Sequence, residues 1–173
     1  MTKLWSFEYE KEKTSARRFS DLNFEKCRWD ECSFDGCEFS DVRFVHCCFS
    51  YSFFSQCKLT RCSFYKCVFS EFRFSDCEAT GLRFSECFFY ESGASFVECL
   101  GLWAYKTGFL GFDFGSDDAT AKYRLKDAIF STCDFDYVEF HENMEFSNVS
   151  IDKDNSPLFS ILNPFDFDEK ITR

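Results

Sequence analysis

Residues 27–56 run CRWDE-CSFDG-CEFSD-VRFVH-CCFSY-SFFSQ, and the spacing inside these six pentads decides the architecture. A large apolar residue returns at every fifth position: Trp29, Phe34, Phe39, Phe44, Phe49 and Phe54. A second column stands two residues earlier, at Cys27, Cys32, Cys37, Val42, Cys47 and Ser52. Outward from this stretch the centres continue without a slip from Phe19 and Phe24 to Leu59, Phe64, Phe69, Phe74, Phe84 and Phe89, with only Ala79 small. The second column continues as Cys57, Cys62, Cys67, Phe72, Cys77, Leu82 and Cys87.

A period of five suits neither a helix, where five steps of about 100° drift around the cylinder, nor a straight strand, where an odd step changes face. The chain must turn a corner in every repeat. Within a side, extended residues two apart point the same way, so Cys62 and Phe64 both face inward. Ser40, Ser50, Thr60, Ser70, Ser75, Thr80 and Ser85 follow the centres, and residues of this type suit tight turns. Sides closed into coils and stacked at the strand spacing of about 4.8 Å would build a rod with Phe on Phe.

The pattern Cys-x-Phe-x-x, as in Cys32-Ser33-Phe34-Asp35-Gly36, resembles the pentapeptide-repeat family. That resemblance implies an all-β fold, a right-handed quadrilateral β-helix of about 20 residues per coil. On this reading 1–18 form an N-terminal cap and 19–91 regular coils. Residues 92–122 interrupt them, 123–151 resume them, and 152–173 form a C-terminal cap or dimer segment. The resumed centres are Leu125, Phe130, Phe135 and Phe140, then Phe146 and Ile151 after one extra residue. In the interruption Gly101, Gly108, Gly111 and Gly115 allow a looped excursion weighted by Trp103, Tyr105, Phe109 and Leu110. Asp117 or Asp118 would cap a short helix through Ala121 and Arg124. A solenoid end must be covered. Leu158, Phe159, Ile161, Leu162 and Phe165 supply either a monomer cap or a two-fold contact.

Composition agrees with one repeated core: 27 Phe and 12 Cys against 7 Gly and 2 Pro in 173 residues. The Lys- and Glu-studded start lacks a signal-peptide apolar run, and no stretch is long and apolar enough to span a membrane. The expectation is a cytoplasmic protein with free thiols, not bound to a membrane. Net charge is −10, carried mainly by residues 113–173, with 14 acidic against 6 basic residues. That disfavours direct nucleic-acid binding, which depends on neutralising phosphates, and favours a basic partner.

Outward positions can be stacked by 20. Arg18, Glu38, Lys58 and Glu78 alternate in sign, as a solvated ladder would. Asn23, Arg43, Ser63 and Arg83, flanked by Lys26, His46 and Lys66, form a basic face. Cys48, Val68 and Phe88, with Tyr51 and Tyr90 nearby, form an apolar stripe that faces out and needs a cover. Either the aromatic residues of the interruption fold over it or it is a partner-binding patch.

Catalytic chemistry is missing from the sequence. His46 and His141 fall at outward positions, and the cysteines repeat as core columns without tetrahedral zinc spacing. No phosphate-binding loop or nucleophile elbow occurs. No catalytic, metal or cofactor residue is assigned, and the chain reads as a non-enzymatic protein-binding rod, monomeric or dimeric through its C-terminus. The family resemblance implies one concrete mechanism, an acidic mimic of DNA that engages a type II topoisomerase (DNA gyrase or topoisomerase IV) in quinolone resistance or toxin immunity. The alternative is a general interaction scaffold or effector with an unrelated partner.

Overall fold

The computed structural model of the chain describes residues 2–115 and 120–151, and every regular element among them is a β-strand. Most strands have three residues, and each pairs in parallel with the strand one coil away. Phe24 lies beside Phe44, Phe44 beside Phe64, and Phe64 beside Phe84. The chain is thus the expected four-sided β-helix, about seven coils tall.

The first face has eight strands, from Thr2–Trp5 to Ser150–Ile151, and the second has seven, from Glu8–Glu10 to Asp134–Asp136. The third and fourth faces merge into one twelve-stranded sheet, because Arg73–Thr80 and Gly93–Leu100 run round the corner unbroken. Among the described residues no helix is long and apolar enough to cross a membrane.

Each corner is made by the residue two after the centre, held at positive φ: 53° at His46, 50° at Tyr51, 52° at Gln56, 51° at Arg61. This left-handed conformation costs an L-residue about 1 kcal/mol or more. Pairing with the next coil offsets it: the His46 N–H donates to the Tyr65 carbonyl at 2.9 Å and the Arg61 N–H to that of Thr80 at 2.8 Å. The Ser and Thr expected to make the turns instead end the strands, as at Ser50, Thr60 and Ser70. Coil-to-coil backbone bonds fix the corner, so the turn places no demand for a hydroxyl.

Inside, rings stack coil on coil. Phe44 lies 4.6 Å from Phe64 with planes 4° apart, and Phe69 lies 4.3 Å from Phe89 at 7°. Neighbouring sides meet edge to face, as Phe64 meets Phe69 at 5.4 Å and 67°. Both arrangements suit the aromatic quadrupole.

The thiol column caps corner carbonyls. Cys67 Sγ donates to the Phe44 carbonyl at 3.4 Å and the Tyr65 carbonyl at 3.5 Å. Ser52, in a Cys position, does more: its Oγ donates to the Ser50 carbonyl at 2.8 Å and accepts the Cys32 N–H at 2.9 Å. All twelve cysteines are free and only Cys48 is exposed. Titration of the native protein with an aromatic disulfide reagent should therefore show one fast thiol, and all should react after unfolding. Several fast native thiols would contradict the inward column.

The interruption expected over 92–122 is much shorter. Ala94, Cys99, Ala104, Phe109 and Phe114 keep the five-residue phase and pair with the coil below. The small centres Ala94, Cys99 and Ala104 hide the period from a search for large residues. At Ala94 the missing ring is replaced by Phe96, 4% exposed and 5.4 Å from Phe74, while Val97 turns out to solvent at 44%. The register slips there to allow it. The break in the 20-residue spacing falls between Phe114 and Tyr123, since Phe114 still pairs 20 residues below, with Ala94, whereas Cys99 pairs with Leu125, 26 residues on, six more than a regular coil. Tyr123–Lys126, expected near a helix, is a strand. The supposed cap at 1–18 already contains the first coil, Thr2–Trp5 to Arg18–Ser20. Asp117, Asp118 and 152–173 lie outside the described residues.

Candidate functional site

The coil spacing turns each outward position into a ladder along the rod, and the four faces differ in what their ladders carry. The fourth face alternates in sign as expected from Arg18 to Glu78, after which Glu98 repeats the negative sign beside Glu78. Arg18 pairs with Glu38 at 2.9 Å, Lys58 with Glu78 at 3.4 Å, and Arg124 with Glu145 at 3.1 Å. At its corner Arg61 Nε donates to Asp41 at 2.7 Å. The guanidinium holds the Asp41 carboxyl below its usual range.

The first face and its corner are cationic. Lys3, Lys26, Arg43, Lys66, Arg83 and Lys106 outnumber Glu25 and Glu86. Trp103 and Tyr105 lie on this face as parallel rings 5.6 Å apart. His46 meets Tyr65 at 5.9 Å, at an outward corner.

The second face and its corner reverse the balance: Glu8, Glu10, Asp30, Glu31, Glu71, Glu91, Asp134 and Asp136 against Lys11 and Arg28. Its outer ladder is the stripe read from the sequence. Cys48 pairs laterally with Val68, and Val68 with Phe88. Val68 is 43% exposed, Phe88 42%, Tyr90 41% and Tyr51 57%. Tyr51 occupies the corner beside Cys48, and Tyr90 the strand end beside Phe88. The structure thus brings these five residues together on one side.

No described residue covers the stripe. The aromatic residues expected to fold over it follow the coil instead: Trp103 and Tyr105 face out on the first face, Phe109 is core, and Leu110 stands beside Tyr90. The next rung above Phe88 is Gly108, over which the Phe88 ring leans. A β-carbon at 108 would lie 2.8 Å from that ring. Glycine here seats the ring against the rod.

Carboxylates border the patch. Glu71 beside the Tyr51 hydroxyl and Glu91 beside that of Tyr90 raise both phenol pKa values above the ordinary tyrosine range. Spacing by 20 relates Glu71 to Glu91, a signal in the sequence that stacking only the apolar residues overlooks. The second candidate set, Leu158, Phe159, Ile161, Leu162 and Phe165, lies outside the described residues. No group of three or more metal-ligating side chains occurs among the described residues.

A sequence profile of the pentapeptide repeat region matches residues 16–84. The chain carries a pentapeptide-repeat region. One solved structure extends the likeness in fold along most of the chain. The structure of trypsin-treated QnrB1, a plasmid-mediated fluoroquinolone resistance protein, aligns with a TM-score of 0.50 at 17% identity, covering 94% of this chain and 98% of that one. Rfr23, a pentapeptide repeat protein from the cyanobacterium Cyanothece 51142, aligns with a TM-score of 0.49 at 6% identity, covering 83% and 90%. No curated protein matches the sequence.

Proposed function

We propose that this protein is a non-enzymatic binding rod that docks a protein partner on its second face. The observation that carries the reading is the uncovered stripe of Cys48, Val68 and Phe88, with Tyr51 and Tyr90, on an otherwise charged and rigid wall. Exposed apolar side chains grouped on one side, rimmed by polar ones, mark interaction surfaces.

Cys48 is the exposed thiol of the patch, so a maleimide photo-cross-linker can be placed there without mutation. Irradiation in native extract should capture a discrete partner, and Phe88→Asp should abolish capture while the thermal midpoint stays within a few degrees. Loss of folding in Phe88→Asp would instead make the ring a structural cover. Equal capture from a probe moved to Ser33 on the third face, in a Cys48→Ser background, would overturn the assignment of the second face.

The acidity of that face also favours a second reading, a DNA mimic directed at a type II topoisomerase. Charge density weighs against it. Duplex DNA carries one negative charge per about 1.7 Å of axis. The second face carries eight carboxylates against two cations over seven strands, about 30 Å at the usual spacing. A gyrase supercoiling assay with and without fluoroquinolone tests this reading: neither inhibition nor protection at micromolar protein would end it.

A further inference from the structure

We infer that the partner segment received by the second face is cationic and carries an apolar anchor. This rests on the reading of that face as a docking surface. Several outward ladders are neutralised between coils, as in Arg18 with Glu38, Lys58 with Glu78, Arg61 with Asp41, and Lys66 with Glu86 at 3.4 Å. Among the described residues, the corner beside the stripe has no such pairing. Its column reads Lys11, Glu31, Tyr51, Glu71, Glu91, with Lys11 paired to Glu10 at 3.5 Å, and Glu71 and Glu91 occupy adjacent coils. None of these three carboxylates has a cation within ion-pair distance among the described residues. Like charges on neighbouring strands repel, so Glu71 and Glu91 on adjacent coils are a local cost that a cationic partner would relieve.

The cost sits beside the exposed apolar stripe. Charge and apolar surface together define the occupant. The carboxylates of Glu31, Glu71 and Glu91 match Lys or Arg, while Val68 and Phe88 match an aliphatic or aromatic side chain between them. The cationic first face, with Arg43 and Arg83, repels the same segment, which directs it to the second face. The stripe spans three rungs, about 10 Å at the strand spacing. That length suits a short peptide segment better than a whole domain face.

The test uses a fluorescent peptide of about twelve residues, the length of a typical recognition segment, with a central Leu-Trp pair flanked by arginines. One control replaces arginine with glutamate, and a second replaces Leu-Trp with serines. Anisotropy with the full chain should give saturable binding to the first peptide, weakening as salt rises. Both controls should bind at least about tenfold more weakly, a difference of about 1.4 kcal/mol. The paired variants Glu71→Gln with Glu91→Gln, and Val68→Ser with Phe88→Ser, should each lose about tenfold. Equal binding of the serine peptide, or unchanged binding by the glutamine pair, would overturn the inference. Failure of the peptide while Cys48 still captures a partner would refute the cationic chemistry alone. Failure of both would refute the docking surface itself.

Discussion

Replacing Phe64 with alanine is expected to lower the free energy of unfolding by about 3–5 kcal/mol, the usual cost of emptying a buried Phe site. The ring is 1% exposed and sits mid-stack, 4.6 Å from Phe44 and 5.1 Å from Phe84. It also touches Phe49, Phe69 and Phe74 edge to face. Its neighbours cannot collapse into the space, because each is anchored by a strand hydrogen-bonded above and below. The coils should therefore retain a cavity, and the cost should lie toward the upper part of the range. Ser63, one residue earlier and facing out, is the control, and Ser63→Ala should change stability by no more than about 0.5 kcal/mol. Urea unfolding followed by circular dichroism measures both. A loss below about 1 kcal/mol for Phe64→Ala, or equal losses for the two variants, would contradict the stacked core.

The second large effect is alkaline destabilisation through buried thiols. Burial pushes Cys62 from the ordinary value of 9.0 up to about 11, and Cys99 up to about 12. Within the columns, ionisation of one thiol opposes ionisation of the next, and burial pushes Cys67 well above the ordinary thiol value. A raised folded-state pKa means that the folded chain holds protons the unfolded chain releases. The stabilisation is complete below pH 9 and is lost as pH rises through the folded values. Each thiol contributes a loss of a little over about 1 kcal/mol per pH unit, so Cys62 and Cys99 together remove roughly 5 kcal/mol by pH 11. That is a large share of a domain's stability. Urea midpoints between pH 8 and 11 should fall more steeply for the wild type than for Cys62→Ala with Cys99→Ala. Equal slopes would show that the thiols do not drive the loss.

The inside of this protein is legible in its sequence because one residue type repeats in one geometric role. Phe and Cys columns name the core from Phe24 to Phe89 without reference to distances. The reading falters at Ala94, Cys99 and Ala104 for a physical reason. The coil requires an inward side chain at each centre, and neighbours can supply the missing volume, as Phe96 does beside Ala94. Stacking by 20 also locates the Cys48, Val68 and Phe88 stripe. It cannot tell that Phe109 stays in the core, or that Phe88 needs a glycine as its seat, since both depend on continuity of the coil through residues 93–114. The unpaired state of Glu71 and Glu91 becomes visible only with distances to every cation.

The corner conformation bears on heredity. Lysine, glutamate, histidine, tyrosine, arginine and glutamine all adopt the same left-handed turn in this chain, at His46, Tyr51, Gln56, Arg61, Lys66 and Glu71. Backbone bonds between coils hold it, so a corner can change its side chain without changing its path. Over generations the outward columns can drift or be reshaped by a new partner while the inward columns stay fixed. In such a lineage, ancestry is recorded on the inside of the rod and occupation on the outside, and comparison of whole sequences would average the two away.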